Sequence, residues 1–477
     1  MTSAPESTRL AALVETLRRP LADLPDPLPL TPLPGPFETT LRPPGSKSLT
    51  NRALVLAALA GGVSRLHRPL RTADDARVMI DGLRRFGALI HEDKDLSGAE
   101  SLRIEGVAGH PRGAGELDLA DAGTAVRFLS AVAGLAVGAT VIDGSARMRQ
   151  RPIDGLVAAL RAMKVRVEYL GEYGVPPIRI EPPADGGPLV GGVLRLPAQA
   201  SSQFISALLM IAPWTAEGLS IELPAPPTSA AYVRMTIDLV QRLGARHASA
   251  SEDGRTLVVA PGPLRGFDLE IEPDASGATY FWAAAALTPG ARIVVRDLTR
   301  DSLQGDTGLA HTLARLGAEV EFGAEAIAVR GPARLAGIDA DFSDMPDAAM
   351  TLAAVSVFAD GPTTITGLGT LPIKECDRLA STVTELRKIG VGVTATNDSL
   401  TIAPCELPTR TTADPVIFET YRDHRMAMAL ALVGLRRPNI AVRDPGCVAK
   451  TYPTFWRDLA RLYESALGRS CPGPPGD

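Results

Sequence analysis

Six times along the 477-residue chain a helical pattern ends on Leu or Val, two further residues and another hydrophobe, and then breaks. The instances are Leu83-Arg-Arg-Phe-Gly87, Leu160-Arg-Ala-Met-Lys164, Val240-Gln-Arg-Leu-Gly244, Leu313-Ala-Arg-Leu-Gly317, Leu386-Arg-Lys-Ile-Gly390 and Leu459-Ala-Arg-Leu-Tyr463. Their fifth positions advance by 77, 80, 73, 73 and 73 residues. Glycine there suits a helix C-cap in the left-handed conformation, and the β-branched residues that usually follow suit a strand. One helix–glycine–strand junction is ordinary in any α/β protein. Near-equal spacing repeated six times implies six units of one length, each with room for two helices and several strands and too long for a solenoid of hairpins. Lys164 and Tyr463 depart from glycine, and no strand pattern follows Tyr463.

Six units divide naturally as three plus three, so the expected fold class is α/β with two similar domains. The length fits two or three domains better than one core. Hydrophobic residues at 45% with only 4% aromatics favour tightly packed α/β units over a β-sandwich or a nucleic-acid stacking surface. The turn at Gly45-Ser46-Lys47 and the stretch 272–277 each precede an apolar helix pattern and are the expected crossing points. Residues 47–272 then form one domain, and residues 37–46 with 273–466 form the other, the strand pattern Phe37 to Arg42 belonging to the second. Residues 1–36 carry a helical pattern around Leu10 to Leu17 and then the proline-dense run Pro20 to Pro36, and are expected to lie outside the fold. The tail 467–477 is expected to be disordered. Ligands favour clefts between domains, which draws attention to the hinge stretch.

A formal net charge of −5 argues against a nucleic-acid or anionic-membrane partner, so any basic site must be a local concentration. Cys376, Cys405, Cys447 and Cys471 show no metal-ligand or C-x-x-C spacing and read as reduced thiols. The chain has no signal or transit pattern and no apolar run of the roughly 18 residues a membrane span needs. A cytoplasmic protein is expected.

Local cation concentrations occur where loops open helices. Pro43-Pro44-Gly45-Ser46-Lys47-Ser48-Leu49-Thr50-Asn51-Arg52 gathers Ser46, Lys47, Ser48 and Arg52 at a helix N-terminus. Backbone N–H groups and the helix dipole favour an anion there, although on these residues alone a capped helix with exposed Lys and Arg is the preferred reading. Asp121-Ala-Gly123-Thr124 opens the apolar helix Leu129 to Ala136. Gly144-Ser-Ala-Arg147-Met-Arg149-Gln-Arg151-Pro152 carries three alternate arginines. In an extended chain these converge on one anion; otherwise the segment is a solvated basic loop. Ala200-Ser201-Ser202-Gln203 is an N-cap that can also cradle phosphate. Asp341, Asp344 and Asp347 surround another helix start, where capping accounts for one acid but not three. Lys374-Glu375-Cys376-Asp377-Arg378, Asp423-His424-Arg425 and Lys450-Thr-Tyr-Pro453 place further charges at element boundaries, each of which a solvated face or a structural hydrogen bond also explains.

In this order the motifs resemble the EPSP synthase family, over about residues 38 to 462. The resemblance implies two domains of three βαβαββ units each, an inside-out α/β fold with its active site in the interdomain cleft. It implies transfer of the enolpyruvyl group of phosphoenolpyruvate to the 5-hydroxyl of shikimate 3-phosphate, releasing phosphate, in the shikimate pathway of aromatic amino acid biosynthesis. By that analogy Lys47, Ser48, Arg52, Ser201, Ser202, Gln203, Ser229, Asp347, Thr370 and Lys374 hold shikimate 3-phosphate. Lys47, Gly123, Arg147, Gln203, Arg378, Arg425 and Lys450 hold phosphoenolpyruvate. Asp347 is the candidate base toward the hydroxyl, Glu375 the proton donor to carbon, and Lys47 the third candidate catalytic group. The cations stabilise the carboxylate and the departing phosphate. No metal or cofactor is expected, and the partners are the two small anionic substrates, taken up by a monomer.

Three residues depart from the family pattern: Asp121 where Asn is usual, Phe128 where Pro is common, and Thr370 where Asn is frequent. Two rival readings remain. One is the enolpyruvyl transferase acting on UDP-N-acetylglucosamine, whose family carries a cysteine in the loop where this chain has Arg147. The other is a non-catalytic anion-binding paralogue, against which the retained Asp347, Glu375 and Lys47 argue. Because Phe128 adds bulk behind Gly123, its replacement by proline is expected to shift the glyphosate inhibition curve. Identical curves for the two proteins break that link.

Overall fold

The computed structural model describes residues 6–95, 98–183, 187–197, 201–403 and 415–468. The chain divides into two compact units, residues 1–44 with 273–475 and residues 45–272 with the last two residues. Cys405, Cys471, Ala200 and most of the predicted tail lie outside the described residues. Among the described residues no helix is long and apolar enough to cross a membrane.

Thirteen α-helices are present among the described residues. In chain order they are α1 (Glu6–Leu17), α2 (Lys47–Leu59), α3 (Asp74–Arg85), α4 (Gly123–Leu135), α5 (Asp154–Ala162), α6 (Ser202–Ile211) and α7 (Ala230–Arg242). They continue with α8 (Ala275–Leu287), α9 (Gly308–Arg315), α10 (Ala349–Ser356), α11 (Arg378–Arg387), α12 (His424–Gly434) and α13 (Phe455–Ala466). Helices α2, α4, α6, α8, α10 and α12 bury almost every residue, as their Ala- and Leu-rich sequences without a polar face require.

The repeat appears as six small sheets, three to a unit. In the unit of residues 45–272, Gly115–Asp118, α4, Thr140–Asp143, α5, Arg166–Tyr169 and Ile178–Glu181 run as βαβαββ. The first two strands are parallel and the last two antiparallel. Gly192–Arg195, Leu219–Glu222, Ala248–Ala250 and Thr256–Val259 repeat the pattern around α6 and α7. The remaining sheet, Val63–His67, Leu89–Lys94 and Glu100–Glu105, takes its parallel first strand from Asp268–Glu270 at the far end of the unit.

In the other unit, Arg292–Arg296 receives the parallel strand Glu38–Leu41 from before the crossing. Asp339–Asp341, Thr363–Thr366, Gly392–Ala395 and Ser399–Ala403 form the next sheet. The α/β class and the two-domain organisation hold.

The junction glycines behave as their position requires. Gly87, Gly244, Gly317 and Gly390 all have positive φ, and Lys164 takes the same left-handed conformation at φ 69° despite its side chain. Each of the five is followed within a few residues by a strand. Tyr463 instead lies inside α13 with its ring fully buried.

The reading of residues 1–36 as lying outside the fold is corrected. Leu10, Leu13, Val14 and Leu17 of α1 are buried in the core of their unit, and Arg18 pairs with Glu464 of α13 at 2.6 Å. Beyond α1, Leu28–Leu30 joins the sixth sheet, antiparallel to Ile440–Val442, which is itself parallel to Val416–Phe418. Among the described residues no hairpin follows α13, and this N-terminal strand takes the place next to the second strand of the sixth unit. Pro29 is tolerated because the strand is an edge. The proline density hid a three-residue strand too short to give a pattern. Truncating Leu17 to Ala is expected to lower stability by about 2–4 kcal/mol, read as a lower thermal midpoint. A segment outside the fold would leave the midpoint unchanged.

Candidate functional site

Each unit gathers charge at the starts of its buried helices. In the unit of residues 45–272 the chain enters through Gly45, where a Cβ would stand 2.3 Å from the carbonyl oxygen of Arg68, so only glycine fits. Ser46 then caps α2, its hydroxyl accepting from Leu49 N at 3.4 Å. The cap is real, but the cations are not exposed. Lys47 Nζ lies 3.3 Å from Asp75 Oδ2, both side chains largely buried. Ser48 follows in the first turn and offers its carbonyl to Arg52.

Arg52 is 3% exposed. Its guanidinium donates to Thr236 Oγ1 (2.7 Å), Ser206 Oγ (3.0 Å), Tyr232 O (3.1 Å) and Ser48 O (3.0 Å). The rings of Phe128 and Tyr232 lie 5.4 and 5.9 Å away. No carboxylate pairs with it among the described residues, and burial pushes its pKa down to about 10. These four bonds occupy four of the five N–H groups of a guanidinium.

Around the other helix starts of this unit, Ser201 caps α6 through Gln203 N at 3.3 Å, with Ser202 buried and Gln203 half-buried beside it. Ser229 precedes α7 in the left-handed region at φ 54°, costly for a non-glycine residue, and its hydroxyl does not cap the helix. Gly123 opens α4. The loop 144–152 is not extended: Met148–Gln150 is a 3-10 turn, so the three arginines do not converge. Arg149 leaves for Asp143 at 2.6 Å, Arg147 donates to Gln150 at 3.2 Å, and Arg151 turns inward. Asp121, the departure from Asn, accepts a short hydrogen bond from Ser145.

The other unit carries the denser cluster. Arg378, the first residue of α11, is 1% exposed and holds three carboxylates. Its Nε and Nη2 donate to Asp423 Oδ2 and Oδ1 at 2.7 and 3.2 Å, its Nη1 to Asp347 Oδ1 at 2.9 Å and its Nη2 to Glu375 Oε2 at 3.0 Å. Arg425 reaches Asp347 Oδ2 at 2.9 Å, Lys374 stands 3.8 Å from Asp347 Oδ1, and Lys450 lies 3.0 Å from Glu375 Oε1. The sequence folds this way because separate helices begin side by side. Asp423 caps α12 by accepting from Arg425 N at 2.9 Å, Asp377 caps α11 through Ala380 N at 3.0 Å, and Asp347 sits in the 3-10 turn Pro346–Ala348 before α10. Thr370 precedes a further 3-10 turn, its buried hydroxyl without a hydrogen-bond partner among the described residues.

Asp347 is therefore no simple cap. Burial works to raise its pKa, but the charges of Arg425, Lys374 and Arg378 outweigh it and hold the carboxyl far below the ordinary range. Asp306, nearby and fully buried, goes the other way: desolvation pushes it up to about 6 against the attraction of Arg425. Burial also raises the Cys376 thiol, to about 12, so this free cysteine is held as an unreactive thiol.

The structure thus brings Asp347, Lys374, Glu375, Arg378, Arg425 and Lys450 into one ion-pair network. Sequence reasoning passed over Asp423 as a site residue, although it stood in the quoted Asp423-His424-Arg425 stretch. It also missed Asp306, which has no local pattern to mark it, and Asp75, which the consecutive acids at a helix start could have flagged.

Fold and clusters together define a two-domain α/β enzyme built for small, strongly anionic substrates. The sequence model for EPSP synthase (3-phosphoshikimate 1-carboxyvinyltransferase) matches residues 33–459, and the chain belongs to that family. Proteins named 3-phosphoshikimate 1-carboxyvinyltransferase from Thiobacillus denitrificans and Methanoculleus marisnigri are each 40% identical to it, over 89% of this chain and 96% and 97% of theirs. The solved EPSP synthase of Acinetobacter baumannii superposes with a TM-score of 0.73 at 26% identity, covering 91% of this chain and 98% of that one.

The Asp306 carboxyl yields a pH-dependent test. A folded-state pKa raised from 3.8 to about 6 means the native state loses stability as pH rises through that interval. Asp306→Asn removes the loss, so the variant should be more stable than the parent by up to about 3 kcal/mol at pH 7.5, at about 1.4 kcal/mol per pKa unit. The difference should close toward pH 4. Thermal midpoints across that range check it, and a gap independent of pH contradicts it.

Proposed function

We propose that the protein transfers the enolpyruvyl group of phosphoenolpyruvate to the 5-hydroxyl of shikimate 3-phosphate, giving 5-enolpyruvylshikimate 3-phosphate and phosphate in the shikimate pathway. The observation that carries the reading is the Arg378 network, where four cations and three carboxylates share direct contacts. The reaction needs both kinds of group. The cations meet the carboxylate and phosphate of phosphoenolpyruvate, and the acids move protons.

In the first step the 5-hydroxyl of shikimate 3-phosphate attacks C2 of phosphoenolpyruvate while its proton passes to a base. The C3 methylene gains a proton, producing a tetrahedral intermediate. In the second step C3 gives up a proton, the C–O bond to phosphate breaks, and the enol ether forms. Asp347 is the proposed base and Glu375 the proposed donor to C3.

An Asp347 held far below the ordinary carboxylate range is a weak base while Arg425, Lys374 and Arg378 face it. Anionic substrates drawn to those same cations share their charge and raise its basicity, so the base strengthens when substrate is present. Lys47, Ser48, Arg52, Ser201, Ser202, Gln203, Ser229, Thr370 and Lys374 are proposed to hold shikimate 3-phosphate. Lys47, Gly123, Arg147, Gln203, Arg378, Arg425 and Lys450 are proposed to hold phosphoenolpyruvate. The reading places the enzyme in the cytoplasm, where Cys376 and Cys447 remain reduced.

Phosphate release from phosphoenolpyruvate should depend on shikimate 3-phosphate. Asp347→Ala should lower kcat by about 10²–10⁴-fold, and Lys47→Met should raise the KM for both substrates. Intact substrate binding without turnover in the unaltered protein rejects the enzymatic reading.

A further inference from the structure

The chain enters α12 through a turn made of residues that disfavour it. Asp423 N donates to Thr420 O at 2.8 Å, and the two residues between them, Tyr421 and Arg422, have φ of 55° and 59°. Two consecutive positive φ values mark a type I′ turn, which Gly, Asn and Asp favour and an aromatic or long side chain does not. The pair Tyr421-Arg422 does not make this turn by its own preference, so contacts from outside must hold it.

Glu385 supplies them. It is fully buried on α11, two turns after Arg378. Its Oε1 accepts from the Tyr421 hydroxyl at 2.7 Å and its Oε2 from Glu419 N at 2.8 Å, one bond on either side of Thr420. Lys388, just past the end of α11, donates to Glu385 Oε2 at 2.5 Å and to Ile417 O at 3.1 Å. It thereby neutralises the buried carboxylate and pins the strand Val416–Phe418 that leads into the turn. Tyr421 is 41% exposed, so its ring stands at the surface while its hydroxyl reaches back to Glu385. Partial burial and the Glu385 carboxylate raise the pKa of that hydroxyl, which keeps its proton and donates.

Helix α11 thus grips one short loop at two places. Its first residue, Arg378, holds Asp423 through Nε and Nη2, and Glu385 holds the residues just before Asp423. Asp423 in turn caps α12 through Arg425 N, and Arg425 reaches Asp347. Fastened at one end only, the loop could swing about the Arg378 contact; fastened at both, it keeps Asp423 in one place. We propose that Glu385 and Tyr421 are positioning residues that hold the strained turn 420–423, fix Asp423, and through it aim Arg378 and Arg425 at phosphoenolpyruvate. The assignment rests on the reaction proposed above and adds to it two residues that act through Asp423.

The test uses Tyr421→Phe, which removes only the hydroxyl, Glu385→Gln, and Arg422→Gly, which gives the turn a residue suited to positive φ. Steady-state phosphate release supplies the constants for both substrates, and amide hydrogen exchange over residues 419–425 reads the turn. Tyr421→Phe should speed exchange there and lower kcat/KM for phosphoenolpyruvate about tenfold, as expected for one lost hydrogen bond to a buried charge. The KM for shikimate 3-phosphate should stay within about twofold. Adding Arg422→Gly to Tyr421→Phe should restore most of both losses, and Arg422→Gly alone should leave kcat/KM unchanged. Glu385→Gln should reproduce the loss, and combining it with Tyr421→Phe should deepen it little. If Glu385→Gln does not fold, Tyr421→Phe decides alone. Kinetics of Tyr421→Phe equal to those of the unaltered protein overturn the proposal. A loss that Arg422→Gly fails to relieve, or one that falls equally on both substrates, overturns it as well. Absence of turnover in the unaltered protein rejects the reaction, and the affinity for phosphoenolpyruvate, by titration calorimetry, then replaces kcat/KM in every comparison. An unaltered protein that does not bind phosphoenolpyruvate overturns both.

Discussion

Parallel pairing at the head of a sheet is the constraint on which the rest of the chain depends. A parallel partner cannot be reached by a hairpin and needs a crossover connection. For two of the six sheets it comes from far along the chain: Glu38–Leu41 pairs with Arg292–Arg296, and Asp268–Glu270 pairs with Val63–His67. The chain must therefore leave one unit and return to it. In one unit Asp274 N donates to Pro44 O, and in the other Ser46 N donates to Glu272 O, both at 2.8 Å. A capped helix begins directly after each crossing, α2 behind Ser46 and α8 behind Asp274. Lys47 is thus aimed by the same backbone that completes the sheets.

The helix starts then decide where charge can collect. Small-residue helices bury all faces, so their N-terminal N–H groups are among the few polar features they present, and the residues just before them are the natural place for ionised groups. Asp423 shows how structure and chemistry share one group. Its Oδ1 closes the first turn of α12 while the carboxylate grips Arg378. Removing one partner from a pair this buried leaves a stranded charge, at a cost of several kcal/mol. The cluster is accordingly held by the fold as much as by its own attractions.

Much of this was legible in the sequence, for reasons that differ from element to element. The six junctions were readable because a left-handed C-cap selects glycine, and Lys164 shows that even the exception keeps the conformation. Helix starts were readable from Ser46, Ser201 and Asp377, which cap as their residue types favour. The N-terminal segment was misread because a three-residue edge strand containing Pro29 has no periodicity, and because α1 earns its place by packing against α13 rather than through its own pattern. The loop 144–152 was ambiguous because alternation of arginines says nothing about backbone. A 3-10 turn sends Arg149 outward and Arg151 inward, an outcome fixed by Arg127 binding Pro152 O from a helix position 25 residues earlier. Asp306 was invisible because its character comes from desolvation, which depends on distant chain segments.

The two clusters differ in how their charge is balanced, and that difference bears on recognition. Around Arg378 every acid already has a cation within 4 Å. An incoming anion must compete with internal carboxylates, so only a ligand that brings strong negative charge and fits several cations at once gains by entering. Arg52 and Arg151 are buried without carboxylates. For them an anion displaces no internal carboxylate and relieves a desolvation cost already present in the folded chain. A singly charged ligand can satisfy the second kind of setting but is a poor competitor in the first.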